Sequence, residues 1–273
     1  MAPGAPGRAR CDISDPPGQG ILPGGSACQD APRGVWTGLC SVLVSQMRKS
    51  AEAETARVKA GKALCSFACY VPANCLTILR AGGLTSIQAN LQGPETLQVV
   101  ALHLLANLAS NGECKNDILS ECLTSLVTLL MTGGFHARRA ALAALSNIAR
   151  LGAEASWSVV CSGALPWVIL GLEADSLEEA ALAALVLRSI VSTDVANSAA
   201  AVSAGAVEPL LALLQEPYFD AKLHSMWALV ACVVHRHIGA GTVLPALCTL
   251  RAAAPELGEA ADEALNIIAR ELL

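Results

Sequence analysis

The chain has 273 residues, of which 53% are apolar and 15% charged, with a formal net charge of −5. Such a balance supplies a continuous core under a thinly charged surface, and it lacks the cationic excess that phosphate backbones demand, which argues against nucleic acid as a partner. Aromatics make up 3%, and Ala and Leu dominate the apolar set, so the composition favours helix over sheet.

The first 34 residues hold six of the thirteen prolines and seven of the 22 glycines, with no apolar periodicity. They cannot repay the entropy of ordering, and residues 1–34 are predicted to be a flexible tail. The opening MAPGAPGRAR carries no secretory apolar run, and Ala2 stands where myristoylation requires Gly. Eleven cysteines scattered through helical segments read as reduced, mostly buried thiols of an intracellular protein, cytoplasmic or nuclear.

Residues 35–273 are predicted to form one repetitive array. A degenerate first unit spans 36–73, with Trp36, Leu39 and Leu43 on its apolar stripe, no opening helix, and a charged stretch from Arg48 to Lys62 leading into a long solvated helix. Full units follow at 74–113, 114–154, 155–195 and 196–237, with a shortened last one at 238–273. Terminal repeats are expected to be atypical because one of their faces has no neighbour.

Each later unit contains one recurring segment: LTSIQANL at 84, LTSLVTLL at 123, LPWVILGL at 165, VEPLLALL at 207 and VLPALCTL at 243. Apolar residues recur within it at helical spacing, as in Leu84, Ile87 and Leu91, and the starts lie 36 to 42 residues apart. That period excludes ankyrin and leucine-rich units. A further helix follows each segment after a break such as QGPE or EADS, in a register set by Leu64, Leu105, Leu145, Leu187, Leu229 and Ala264. Its small column, Ala60, Ala101, Ala141, Ala183, Ser225 and Ala260, permits close stacking of units.

Two residues before the recurring segment stands Gly82, Gly163, Gly205 or Gly241, with Glu121 as the exception. Gly ends a helix in the left-handed conformation without steric penalty, so each marks a corner after a short opening helix anchored by Leu79, Ile118, Val160, Val202 or Ile238. The unit is three helices. The longest uncharged stretch, 155–172, approaches the length of a membrane span, but Gly163 and Pro166 fall at a predicted turn within it, and no span is expected.

The Gly-marked corner and the segments NCLTILRAGGLTSI, LLANLA, ALSNIA and NSAAAVSAGAVEPLLALL resemble the armadillo repeat family. The resemblance covers about residues 36 to 273 and implies an all-α, right-handed solenoid of three-helix repeats whose third helices line a concave groove. It further implies an Asn column there that binds extended peptide backbone, which falls on Ser66, Asn107, Asn147, Ser189, Ala231 and Asn266. An amide offers a peptide group both a donor and an acceptor. One turn earlier, where some peptide-binding members carry Trp, stand Lys62, His103, Ala143, Leu185, Trp227 and Asp262.

Only three of six Asn positions match, and a run of acidic groove residues for basic cargo is missing, which argues against a nuclear-import adaptor. The candidate contacts are Lys62, Ser66, His103, Asn107, Arg139, Asn147, Ser189, Trp227, Asp262 and Asn266. Two readings stand for the Asn residues, groove contact or a structural role, capping a neighbouring turn or bonding across units. Two also stand for Trp227, core packing or an exposed anchor.

Enzymatic patterns are missing: no phosphate loop, nucleophile elbow or HExxH pair. Cys65, Cys69 and Cys75 read as core thiols rather than zinc ligands, and His235-Arg236-His237 as cations at a helix C-terminus. The expected function is therefore a scaffold or adaptor binding partner segments, without cofactor or metal. A structural subunit of an obligate oligomer is the alternative, supported by the low surface charge.

Overall fold

The computed structural model describes residues 33–49, 53–70 and 72–272, which contain fifteen α-helices, two short 3-10 turns and no strand. The first layer is α1 (Arg33–Arg48) and α2 (Glu54–Tyr70). Next come α3 (Pro72–Arg80), α4 (Gly83–Leu91) and α5 (Glu95–Ala109), then α6 (Lys115–Thr132) and α7 (Phe135–Ala149). They are followed by α8 (Ala153–Cys161), α9 (Leu165–Leu172) and α10 (Leu177–Val191), and by α11 (Val195–Ser203), α12 (Val207–Leu213) and α13 (Phe219–Val234). The last layer holds α14 (Ala240–Ala253) and α15 (Gly258–Leu272).

Like packs on like from layer to layer. One ladder runs α2, α5, α7, α10, α13, α15; a second runs α1, α4, α6, α9, α12. This is an armadillo-type solenoid, and its core is continuous because every internal helix is covered on both sides by its counterparts. Register residues Leu64, Leu105, Leu145, Leu187, Leu229 and Ala264 are all fully buried, and the small column is buried from Ala60 to Ser225, with Ala260 half-buried. At Gly61 the α2–α5 approach leaves no room for a side chain, since a Cβ would meet Val100 Cγ1 at 2.3 Å.

Glycine corners form where the helix pair must bend sharply. Gly82, Gly163 and Gly205 have φ of 85°, 80° and 90°, and the pairs α8–α9 and α11–α12 meet at 89° and 86°. No single helix among the described residues is long and apolar enough to cross a membrane, and the stretch 155–172 is one of these bent pairs. Where Glu121 replaces the glycine, no corner forms and the first two helices fuse into α6, 18 residues long.

The other departures lie mostly at the ends. Gly241 is not left-handed but sits inside α14, so the last layer has no separate opening helix and Ile238 anchors none. The left-handed turn is made instead by Arg236, at φ 60°: His235 is the C-cap of α13, and the Arg236 and His237 N–H groups donate back to the Val233 and Cys232 carbonyls at 2.8 and 3.0 Å, so His235-Arg236-His237 closes the helix C-terminus as expected. His237 Nε2 donates to the Val195 carbonyl at 2.9 Å. In α1 the buried stripe is Cys40, Val44 and Met47, while Leu39 is exposed and Leu43 half-buried. In α3, α8 and α11 the buried anchors are Ile78, Val159 and Ala201, one residue before those expected. The tail expected at 1–34 lies outside the described residues, except that Arg33 and Gly34 already open α1.

Candidate binding groove

A groove of about 590 Å³ crosses the exposed face of α7, α10 and α13. Its floor is Ala181, Leu182, Leu185 and Ser189 of α10; Arg139, Glu178, Tyr218 and Asp220 stand at one lip, and Arg150, Arg188, Ser192 and Thr193 at the other. His224 enters from α13. Helical spacing places Leu182, Leu185 and Ser189 on one stripe along the groove, with the two leucines half-buried and Ser189 buried at its base.

The lip at the helix N-termini is zipped by charges across layers. Glu54 of α2 accepts from the Thr96 hydroxyl of α5. Glu95 Oε1 accepts from the His136 and Ala137 backbone N–H groups at 3.0 and 3.2 Å, capping α7 from the preceding layer. Arg138 Nε donates to Glu179 at 2.9 Å, and Arg139 Nη2 lies 2.5 Å from Glu178 while its guanidinium covers the Phe135 ring at 5.2 Å.

At the opposite lip Arg150 and Arg188 have no carboxylate within ion-pair distance among the described residues. Arg188 Nη1 lies 3.3 Å from His224 Nδ1, and its Cζ stands 5.9 Å from the Trp227 ring centroid. A guanidinium can only donate, so His224 accepts through Nδ1 and is a neutral imidazole with its proton on Nε2. Burial, reinforced by the Arg188 charge, pushes the His224 pKa down to about 4. Burial and the nearby Arg150 also lower that of Arg188.

The sequence-predicted contacts do not all meet here. Arg139 and Ser189 line the groove, and Trp227, half-buried against the core, adjoins it through Arg188. Ser189 Oγ donates to the Leu185 carbonyl at 2.8 Å. Asn107 Nδ2 donates to the Cys65 carbonyl at 3.1 Å and Asn147 Nδ2 to the Ala106 carbonyl at 3.0 Å. Both amides thus bond across units, one third helix to the one before. Lys62 is exposed, and Ser66 donates to its carbonyl at 3.2 Å. His103 is half-buried beside Lys62; burial first, then that charge, lowers its pKa. Asp262 pairs with Arg251 at 2.6 Å, and together with the exposed Asn266 it belongs to the outer face of α15, separate from the groove.

The sequence reading missed Arg150, Arg188, His224 and Tyr218. A signal for Arg188 existed: its column reads Cys65, Ala106, Ser146, Arg188, Val230 and Leu265, small or apolar in every other layer. Of the three cysteines weighed as core thiols, Cys65 and Cys75 are buried, with the Cys75 pKa raised to about 11 mainly by burial, whereas Cys69 is exposed. Its place on α2 points away from Leu64 and Ala68, which hold the buried stripe.

No protein-family model and no curated protein matches the chain. Solved structures do. A designed armadillo repeat protein in complex with the peptide (KR)4 is similar at a TM-score of 0.76 and 23% identity, over 84% of this chain and 99% of that one. An engineered protein aligns at a TM-score of 0.77 and 25% identity, over 84% and 98%. A computationally designed armadillo repeat protein for modular peptide recognition aligns at 0.74 and 23%, over 84% and 99%. The fold is armadillo-like.

Proposed function

We propose that this chain is a protein-interaction module, a scaffold or adaptor of the cell interior, that holds a segment of a partner protein in the groove across α7, α10 and α13. The armadillo solenoid is typically a non-enzymatic binding scaffold, and two of the similar structures are described as bound to a peptide or made for peptide recognition. The observation that carries the reading is the groove itself: an apolar floor of Leu182 and Leu185 between two polar lips, open over three consecutive layers. The (KR)4 peptide of the designed protein is a poor match for the lip where Arg150 and Arg188 stand, whereas at the other lip Arg139 is paired with Glu178.

The test is a groove block. Leu185 is half-exposed on the floor, so Leu185→Arg fills the channel without opening the core. Affinity capture followed by mass spectrometry is expected to lose partners on this variant while its thermal unfolding stays like that of the parent. Capture of the same partners by both proteins would refute the groove. The alternative, a permanent subunit of an oligomer, draws support from exposed Trp157, Leu170 and Val195 on α8, α9 and α11. Light scattering separates the two, since the adaptor is expected at monomer mass at micromolar concentration.

A further inference from the structure

Arg188 breaks the rule of its own column. At the same register Cys65, Ala106, Ser146 and Val230 are buried in their layers, so a third helix normally turns a small or apolar side chain here. Local choices that contradict the packing pattern are expected at functional sites. The contradiction is electrostatic too. Withdrawing a charge from water is costly unless a counter-charge meets it, and none does: among the described residues no carboxylate lies within ion-pair distance of Arg188. Glu178 is held by Arg139 at the far lip, and Arg138 and Arg139, one layer back, each have a carboxylate partner. His224 offers Arg188 a neutral nitrogen, and the nearby Arg150 adds a second positive charge.

We propose that Arg188, backed by Arg150, forms an anionic subsite at this lip of the groove, and that it receives the carboxylate of an Asp or Glu on an extended partner segment. The proposal rests on the groove reading above and names the chemistry its occupant must have. A carboxylate fits better than a phosphoryl group. The Arg188 guanidinium is a flat fork between the Trp227 ring and the groove, matched to two in-plane oxygens. The hydroxyls around it are already spent as donors, Ser189 to Leu185, Ser192 to Arg188 and Thr193 to Ile190, so few further donors await extra oxygens. Next to the charge, Leu182 and Leu185 on the floor provide apolar surface for the neighbouring residue of the partner.

A random dodecapeptide display library panned on the full chain tests this. Wild type is expected to enrich Asp- or Glu-bearing peptides. A synthetic winner should lose about tenfold in affinity when its acid is changed to the amide, and about tenfold on Arg188→Gln, with the two losses not adding when combined. Arg251→Gln, outside the groove, should change nothing. Equal affinity for wild type and Arg188→Gln, or enrichment of neutral or basic peptides that Leu185→Arg still blocks, overturns the subsite and leaves the groove standing. A winner that binds only with phosphoserine in place of its acid overturns the carboxylate. Absence of any enrichment, or binding indifferent to Leu185→Arg, overturns the groove and the subsite together. The unliganded Arg188→Gln protein is expected to melt no lower than wild type, because an uncompensated charge has been removed. A lower melting temperature would assign Arg188 to the fold and reject the proposal.

Discussion

Buried polar side chains decide how the layers are fastened, and Asn90 is the one with most at stake. It is fully buried, donates to the Met47 carbonyl at 3.0 Å and the Ser86 carbonyl at 2.6 Å, and accepts from Arg57 at 2.9 Å. Asn90→Ala therefore strips partners from the end of α1 and from Arg57 at once, at a cost of about 2–3 kcal/mol. The urea midpoint of the variant should fall accordingly, and a shift equivalent to less than about 0.5 kcal/mol would show that water replaces the amide. His224 makes a second residue-scale prediction. Its folded pKa of about 4 lies below the ordinary value of 6.5, so as pH falls the unfolded chain takes up the proton first. The stability owed to the neutral ring is complete above pH 6.5 and is lost between about 6.5 and 4, up to about 3 kcal/mol. His224→Asn, which keeps an acceptor for Arg188 but does not titrate, should lose less stability than wild type between pH 7.5 and pH 4.5. Equal losses would mean that the carboxylates titrating in the same range account for all of it.

At the scale of the element, the glycine corners carry most of the information. Gly163 has open space where a Cβ would go, so an added methyl is opposed only by the left-handed backbone. Gly163→Ala is expected to cost about 1–2 kcal/mol. Gly241 has the same open surroundings but lies in α14 without a positive φ, and Gly241→Ala should be neutral or stabilising by up to about 1 kcal/mol. Matched unfolding curves check the pair, and equal effects would deny that the corner is a backbone requirement. This pair also shows what could be read in advance. A glycine two residues before the recurring apolar segment predicts a corner at residues 82, 163 and 205, and its replacement by Glu121 coincides with the fused α6. Gly241 carries the same local signature and fails, because the turn has moved upstream to Arg236, a residue type with no propensity that would announce it.

Across the whole molecule, the period and the buried columns were legible because every layer repeats the same burial problem. The groove was only partly legible. Ser189 followed from register and Arg139 from its place at the start of a third helix, but Arg150, Arg188 and His224 come together from three layers, and side-chain partners across layers decide which cations stay unpaired. Asn107 and Asn147 carried the family's expected chemistry, yet their amide nitrogens bond to the preceding helix, an outcome set by interlayer distance and invisible in one sequence. The same layering governs stability. In a stacked array each unit is held by its neighbours, so protection should grade with position along it. α7 lies between α5 and α10 with Ala140, Ala141, Ala144, Leu145 and Ile148 all buried, whereas α15 buries Ala261, Ala264 and Ile268 on one side and exposes Glu259, Glu263 and Asn266 on the other. Amide hydrogen exchange should then be slowest in α5, α7 and α10 and fastest, among the third helices described, in α15. Leu145→Ala removes about 2–5 kcal/mol from the middle of the stack and should raise exchange in α5 and α10 together, while Ile268→Ala should raise it in α15 and leave α5 unchanged. Uniform loss of protection after Ile268→Ala would mean that the array opens as a single cooperative body, with no nearest-neighbour gradient along it.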